Sequence, residues 1–372
     1  MKKKTILTLL MFVCALFAAV AVNFALNSGL ISKYPDAEYL TAEEAAVRPV
    51  YSQLDARGKA IYTSLYRGVK EEKETIPLPF ETKGSEYSKI YRIFEKQEGE
   101  FFFLDSVYYT AKKVREAKIA YKDELDTGFR RNELSNAVKK ALKGCSDIRG
   151  DYYIATYLSN YIINNCKYVI GDDDGYASTA YGCLVEGKAN CEGYSKAFNL
   201  LASGMGLESQ LITGTTDTGE NHAWNQVKIG IEWYNLDVTW EDTDVAGEIR
   251  KEYFLRPDSV FARSHIADKE LFEPQKCKDD NWNAFKSSGH HADTLEQATK
   301  IVKDALGSGN NTIDIEFSDL DTYDKFKYVM SNQERLFSII QESGAEINGA
   351  VVVKFRENEA ELCMTVIIDS EE

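Results

Sequence analysis

Between Asp151 and Trp240 the hydrophobic positions change period twice, and the changes outline a domain. In "DYYIATYLSNYIINN" the residues Ile154, Leu158, Ile162 and Ile163 share one helical face, with Asp151 as the expected cap. In "NCEGYSKAFNLLASG" Tyr194, Ala197, Phe198 and Leu201 repeat at helical spacing. Asn190 stands where an N-cap belongs, and Gly204 and Gly206 mark the end. The segment "NHAWNQVKIGIEWYNLDVTW" then alternates. Ala223, Val227 and Ile229 face one way on a first strand, as do Tyr234, Leu236 and Val238 on a second, with a tight turn near Gly230. The opposite face carries His222, Trp224 and Gln226 against Trp233, Asn235, Asp237 and Thr239. His222 and Asp237 therefore point the same way, diagonal or directly opposed according to where the turn is centred.

The flanks read differently. "MKKK" followed by an apolar run from Ile6 to Leu26 matches the ~20 residues that span a bilayer, so residues 1–28 are expected to be a cleaved signal peptide or a retained anchor. This places the remainder outside the cell or on its surface. Residues 29–140 read as an α+β module: a Thr41-x-x-Glu44 capping box, a helix from Leu54 to Lys70, and a hairpin over "EFFFLDSVYYTAKKVREAKIAYKD". The domain built around Asp151 to Trp240 is expected to occupy 141–268. Residues 290–372 read as a small α+β domain of helix, strand, helix (Tyr323 to Gln341) and two strands, with no residue assigned to chemistry.

A formal charge of −15 without a basic stripe excludes nucleic acid as a partner. Beyond Cys14, six cysteines spread over a long chain are too sparse for a disulfide scaffold. They form no CxxC pair, and the four histidines show no HxxxH or HExxH spacing, so no metal or other cofactor is expected. "GDDDGYAS" lacks the ligand spacing of a calcium loop, and Arg149-Gly150-Asp151 reads as a turn before a helix.

The candidate chemistry lies where the periods change. Cys191 at the first position of a helix meets unpaired backbone N–H groups and the positive end of the helix dipole. Glu192 beside it works against negative charge on the sulfur. An imidazole with a carboxylate near it completes the residue types of thiol acyl transfer.

These blocks, "YGCLVEGKANCEGYSKAFNLLASGMGLESQLITG", "NHAWNQVKIGIEWYNLDVTW" and "EYFLRPDSV", resemble the transglutaminase-like superfamily over about Asp151 to His265. The resemblance implies an α+β, papain-like core in which a nucleophile helix packs on an antiparallel sheet. By it Cys191 is the nucleophile, His222 the base and Asp237 the orienting acid. It implies amide-bond chemistry on a protein or peptide, cell-wall peptide included, by hydrolysis or by transfer to an amine. Tyr181, Tyr194, Trp224 and Trp240 are candidates to line the cleft, with core packing the equal alternative for each, and His265 reads as a structural histidine. Asn190 and Glu192 replace the Gln and Trp that flank the nucleophile in the calcium-dependent animal cross-linkers, and Val238 replaces their proline. The competing expectation is a surface-binding module that keeps the fold without turnover.

Overall fold

A computed structural model describes residues 11–12, 14–21, 34–105, 111–122, 127–171, 175–243, 249–345 and 350–371. The expected leader falls mostly outside these residues; positions 14–21 of it are helical. Among the described residues no helix is long and apolar enough to cross a membrane.

The chain divides into two compact units, one taking Leu54–Phe94 and Phe103–Asp123, the other Ala42–Gln53, Glu95–Phe102 and everything from Glu124. In the first, α1 (Ala56–Lys70) starts at Asp55, whose carboxylate accepts from the Gly58 N–H at 2.7 Å. It buries Ile61, Leu65 and Val69. Strand β1 (Thr75–Lys83) precedes α2 (Gly84–Gln97), whose last turn belongs to the second unit. Strand β2 (Lys113–Lys118) pairs antiparallel with β1. The ends of the expected hairpin do pair, Leu104 bridging Tyr121 antiparallel, but the charged "KVREAK" stretch between them is itself a strand whose partner lies upstream; positions 106–110 of the segment lie outside the described residues. Only Val114 and Ala117 of β2 are buried, so its polar side chains face water and hide the alternation.

The second unit holds the core that positions the site. Helices α3 (Thr127–Cys145) and α4 (Asp151–Asn165) are followed by β3 (Lys167–Tyr168), β4 (Lys188–Ala189) and α5 (Cys191–Gly204). Asp151 is the first residue of α4 rather than its cap; its carboxylate instead accepts from the Gly230 N–H at 2.8 Å. A four-stranded antiparallel sheet follows, in the order β7-β6-β5-β8, from β5 (Ser209–Thr216), β6 (Asn221–Ile229), β7 (Glu232–Leu236) and β8 (His265–Ala267). Helix α5 lies on β5 and β6. Its Tyr194, Ala197, Phe198 and Leu201 close a core with Leu158 and Ile162 of α4 and with Val227, Tyr234 and Leu236 of the sheet. The fold is α+β with a nucleophile-type helix on an antiparallel sheet, as the residues implied.

Past the sheet, β9 (His291–Ala292), α6 (Leu295–Gly307), β10 (Thr312–Phe317), α7 (Leu320–Ser331), α8 (Gln333–Ser343), β11 (Ala350–Asn358) and β12 (Cys363–Glu371) build a second four-stranded sheet, ordered β11-β12-β10-β9. The single helix expected over Tyr323 to Gln341 is two, because Asn332 leaves helical geometry and accepts from the Arg335 N–H to cap the second.

Candidate active site

The site begins with a cap. Asn190 is extended, and its Oδ1 accepts from the N–H groups of Glu192 (3.1 Å) and Gly193 (3.2 Å), which fixes Cys191 as the first residue of α5. Gly193 is required there. A Cβ at this position would stand 2.3 Å from the Ala177 carbonyl oxygen and 2.8 Å from the Ala189 Cβ.

Strands β6 and β7 are joined by the two residues Gly230 and Ile231, with Gly230 at φ 63°, and the register pairs Ile229 with Glu232 and Asn225 with Leu236. This is the diagonal placement of His222 and Asp237. The second strand stops earlier than its alternation suggests. Asp237 ends it and caps a short helix, Val238–Glu241, its Oδ1 accepting from the N–H groups of Thr239 (2.9 Å) and Trp240 (3.2 Å). Val238 still reaches the core while Thr239 and Trp240 leave the strand face.

The other Asp237 oxygen, Oδ2, takes two imidazoles: Nε2 of His222 at 2.6 Å and Nε2 of His265 at 3.1 Å. Asp237 is fully buried and its two oxygens meet four donors. Burial pushes its carboxyl up, but His222 and then His265 outweigh it and hold it well below the usual carboxylate range. Burial pulls His222 down; the Asp237 carboxylate and then a side-chain hydrogen bond with Cys191 overcome that and raise it to about 10. With Nε2 committed to Asp237, Nδ1 is the ring atom left for the thiol. His265 goes the other way, lowered by burial against the pull of Asp237.

The expected aromatic wall is only partly a wall. Trp240 keeps some exposure and stacks on His222, ring centroids 5.0 Å apart. Trp224 is buried, 5.0 Å edge-on from His265, and faces a cavity of ≈ 790 Å³ that Phe261, Gln226 and Cys277 also line. Tyr194 lies in the core with its hydroxyl donating to Asp242 at 2.7 Å. Tyr181 is buried, stacked on Phe102 and donating to Glu133 at 2.7 Å. Tyr168 was not among the expected residues. From β3 it pairs with Ala189 of β4, is 40% exposed, and is raised first by burial and then by the neighbouring Cys191. Strand pairing brings it to the thiol, and no local pattern announces that.

Glu192 does not stand as an uncompensated charge. Both its oxygens accept from Lys96 Nζ at 2.7 Å, and Lys196 Nζ lies 2.9 Å from one of them and 2.7 Å from Glu95. Burial opposes ionisation of Glu192, yet Lys196 and then Lys96 lower it to about 2. The expected opposition to negative charge at Cys191 is therefore balanced by two lysines, one from the next turn of α5 and one from α2.

His222, Asp237 and His265 also bring one ligand-type atom each within 4.8 Å of one another. Two N–H donors on a single carboxylate oxygen account for that grouping without an ion.

No curated protein matches the chain. Among solved structures, a candidate cysteine protease of Cytophaga hutchinsonii is 19% identical over 34% of this chain and 44% of its own length, with a TM-score of 0.26. A TGase is 13% identical over 37% of this chain and 43% of its own, with a TM-score of 0.27. The chain thus spans less than half the length of either. Residues 138–238, which contain Cys191, His222 and Asp237, match the family model of the transglutaminase-like superfamily, and the core of the chain is transglutaminase-like.

Proposed function

We propose that the chain is an exported thiol acyl-transfer enzyme acting on amide bonds of proteins or peptides, with Cys191 as nucleophile, His222 as proton carrier and Asp237 as the acid that orients it. The observation that carries this reading is the fully satisfied Asp237, which holds His222 by Nε2 and leaves Nδ1 for a thiol at a capped helix start. An imidazolium stable to about pH 10 makes the imidazole a strong acceptor for the thiol proton.

The chemistry balances in two steps. With the thiol proton already held by His222 as imidazolium, the thiolate sulfur bonds the amide carbon to give a tetrahedral oxyanion. The Glu192 and Gly193 N–H groups are taken by Asn190, so the Cys191 N–H is the first-turn donor available to that oxygen. Collapse breaks the C–N bond, His222 protonates the departing amine, and a thioester remains. Water or a second amine then gives up a proton to His222 and takes the acyl group, and the thiol is restored. Export is supported by Lys2 to Lys4 ahead of the apolar run.

The test is mass spectrometry of surface proteins and cell-wall peptides incubated with the protein, with and without an added primary amine. Cleavage or amine incorporation is expected, falling at least about 10³-fold in Cys191→Ala with the fold retained. Unchanged peptides in both arms, or full activity in the variant, would contradict the proposal and favour a surface-binding module.

A further inference from the structure

The C-terminal hairpin sends a carboxyl group to the back of the site. Its turn is tight, with Leu362 at φ 54°, and folds Glu361 into the interior, where it is 1% exposed. Asn358 anchors the turn: its Nδ2 donates to Glu252 and to the Tyr253 hydroxyl, each at 2.7 Å, and its Oδ1 accepts from the Glu361 N–H. Glu361 Oε1 is hydrogen-bonded to Ser264 Oγ, which lies 2.9 Å from His265 Nδ1; His265 Nε2 in turn meets Asp237. A row of buried groups runs from Glu361 through Ser264, His265 and Asp237 to His222.

Counting hydrogens shows how the row must work. Asp237 is ionised, so both imidazoles present N–H to it. A neutral His265 that donates through Nε2 has only a lone pair at Nδ1, and the single hydrogen of Ser264 is what can fill it. Ser264 then has nothing to give Glu361, so Glu361 must be the donor and carry a proton. When Glu361 ionises it takes the Ser264 hydrogen for itself. His265 Nδ1 is left facing an oxygen lone pair, and the ring either loses that bond or moves its proton from Nε2 to Nδ1 and releases Asp237.

We propose that Glu361 is a positioning residue for the site, its proton locking His265 onto Asp237 through Ser264 and its ionisation releasing that lock. This rests on the reading of Asp237 as the residue that orients His222. A second observation favours the protonated form: Glu361 Oε2 is buried with no hydrogen-bond partner among the described residues, a costly place for negative charge. The charged and titratable groups facing Glu361 are Arg256 and Arg263, Glu252, Tyr253 and Cys363. His265 is faced by Asp237, His222 and the Phe261 backbone, and ringed by Trp224, Trp240, Tyr253 and Phe261. Burial raises Glu361 to about 7, with Ser264, Arg256 and Arg263 pulling against it.

The test is ¹⁵N NMR of the full-length protein labelled at histidine, titrated from about pH 5.5 to about 8.5. The His265 resonances, assigned by their loss in His265→Gln, are expected to step with a midpoint near 7. Glu361→Gln supplies a permanent donor to Ser264 and should abolish the step, holding the acid-side shifts throughout. Ser264→Ala should abolish it too, independently of any disturbance of the hairpin turn. Cys191→Ala must leave the step intact, which separates this row from the acyl-transfer reading. Alkylation of Cys191 by iodoacetamide should be equal in Glu361→Gln and wild type at the acid end, and roughly 3–10-fold faster in the variant at the alkaline end. A His265 signal that ignores pH in the wild type, a step surviving in Glu361→Gln, or alkylation rates that stay equal at the alkaline end overturns the proposal.

Discussion

At the scale of single residues the site turns on one carboxylate. Asp237 caps a helix with one oxygen and holds two imidazoles with the other, so its charge is met by four donors with no water needed. A pH signature follows. His222 titrates at about 10 in the fold against ~6.5 unfolded, so its stabilisation is complete below ~6.5 and is lost as pH rises through 10. Asp237 is held low, so its contribution is present above ~3.9 and lost on acidification. The Tm gap between wild type and Asp237→Asn should therefore be widest between about pH 4 and 6.5 and narrow toward pH 10. Thermal melts showing a gap that widens with alkalinity would refute this pairing. His222 and Asp237 were legible together because strand alternation put them on one face. His265 was legible only as a histidine near the end of the motif block, since its approach to Asp237 depends on β8 pairing with β5 across the sheet.

At the scale of elements, α5 was the most readable part of the chain. A polar cap, a helical apolar stripe and terminal glycines all agree there, and the helix runs Cys191–Gly204. The two-residue turn at Gly230 was equally plain. Four features misled: β2, whose charged side chains mask a strand; the end of β7, where a side-chain cap competes with continued pairing; Asp151, which starts α4 instead of capping it; and Asn332, which splits one expected helix into two. The helix start also carries a prediction. Asn190→Ala removes the acceptor of two N–H groups and should cost about 1 kcal/mol. Gly193→Ala forces a methyl against a backbone carbonyl and should cost more, about 1–3 kcal/mol. Denaturant midpoints with the reverse ranking would contradict the account of the cap and the close approach.

At the scale of the whole molecule, the C-terminal sheet is joined to the core through polar groups that sequence periodicity does not register. Arg256, fully buried, pairs with Glu316 of β10, and Glu316 also accepts from Asn283 (2.8 Å) and binds His291 (2.7 Å). Asn358 and Glu361 reach in from the hairpin beside it. Apolar patterning predicted the helices and longer strands of 290–372, though not the break at Asn332 or the short β9, whereas the contacts that give those residues a place near the site are single polar side chains separated by up to 106 positions. Such pairings leave no mark in a local window.

The seven cysteines of the chain allow the central claim to be tested within one sample. Cys145, Cys166, Cys183, Cys277 and Cys363 are buried thiols, whereas Cys191 is partly accessible beside His222. The measurement is the rate of iodoacetamide alkylation of each cysteine in native protein near neutral pH, read by peptide mass spectrometry, in wild type and in His222→Ala. Cys191 should outpace the five buried thiols and slow by at least about tenfold in the variant, because its proton acceptor is gone. An unlabelled Cys191, or one that reacts as fast without His222, would contradict its role as an activated nucleophile.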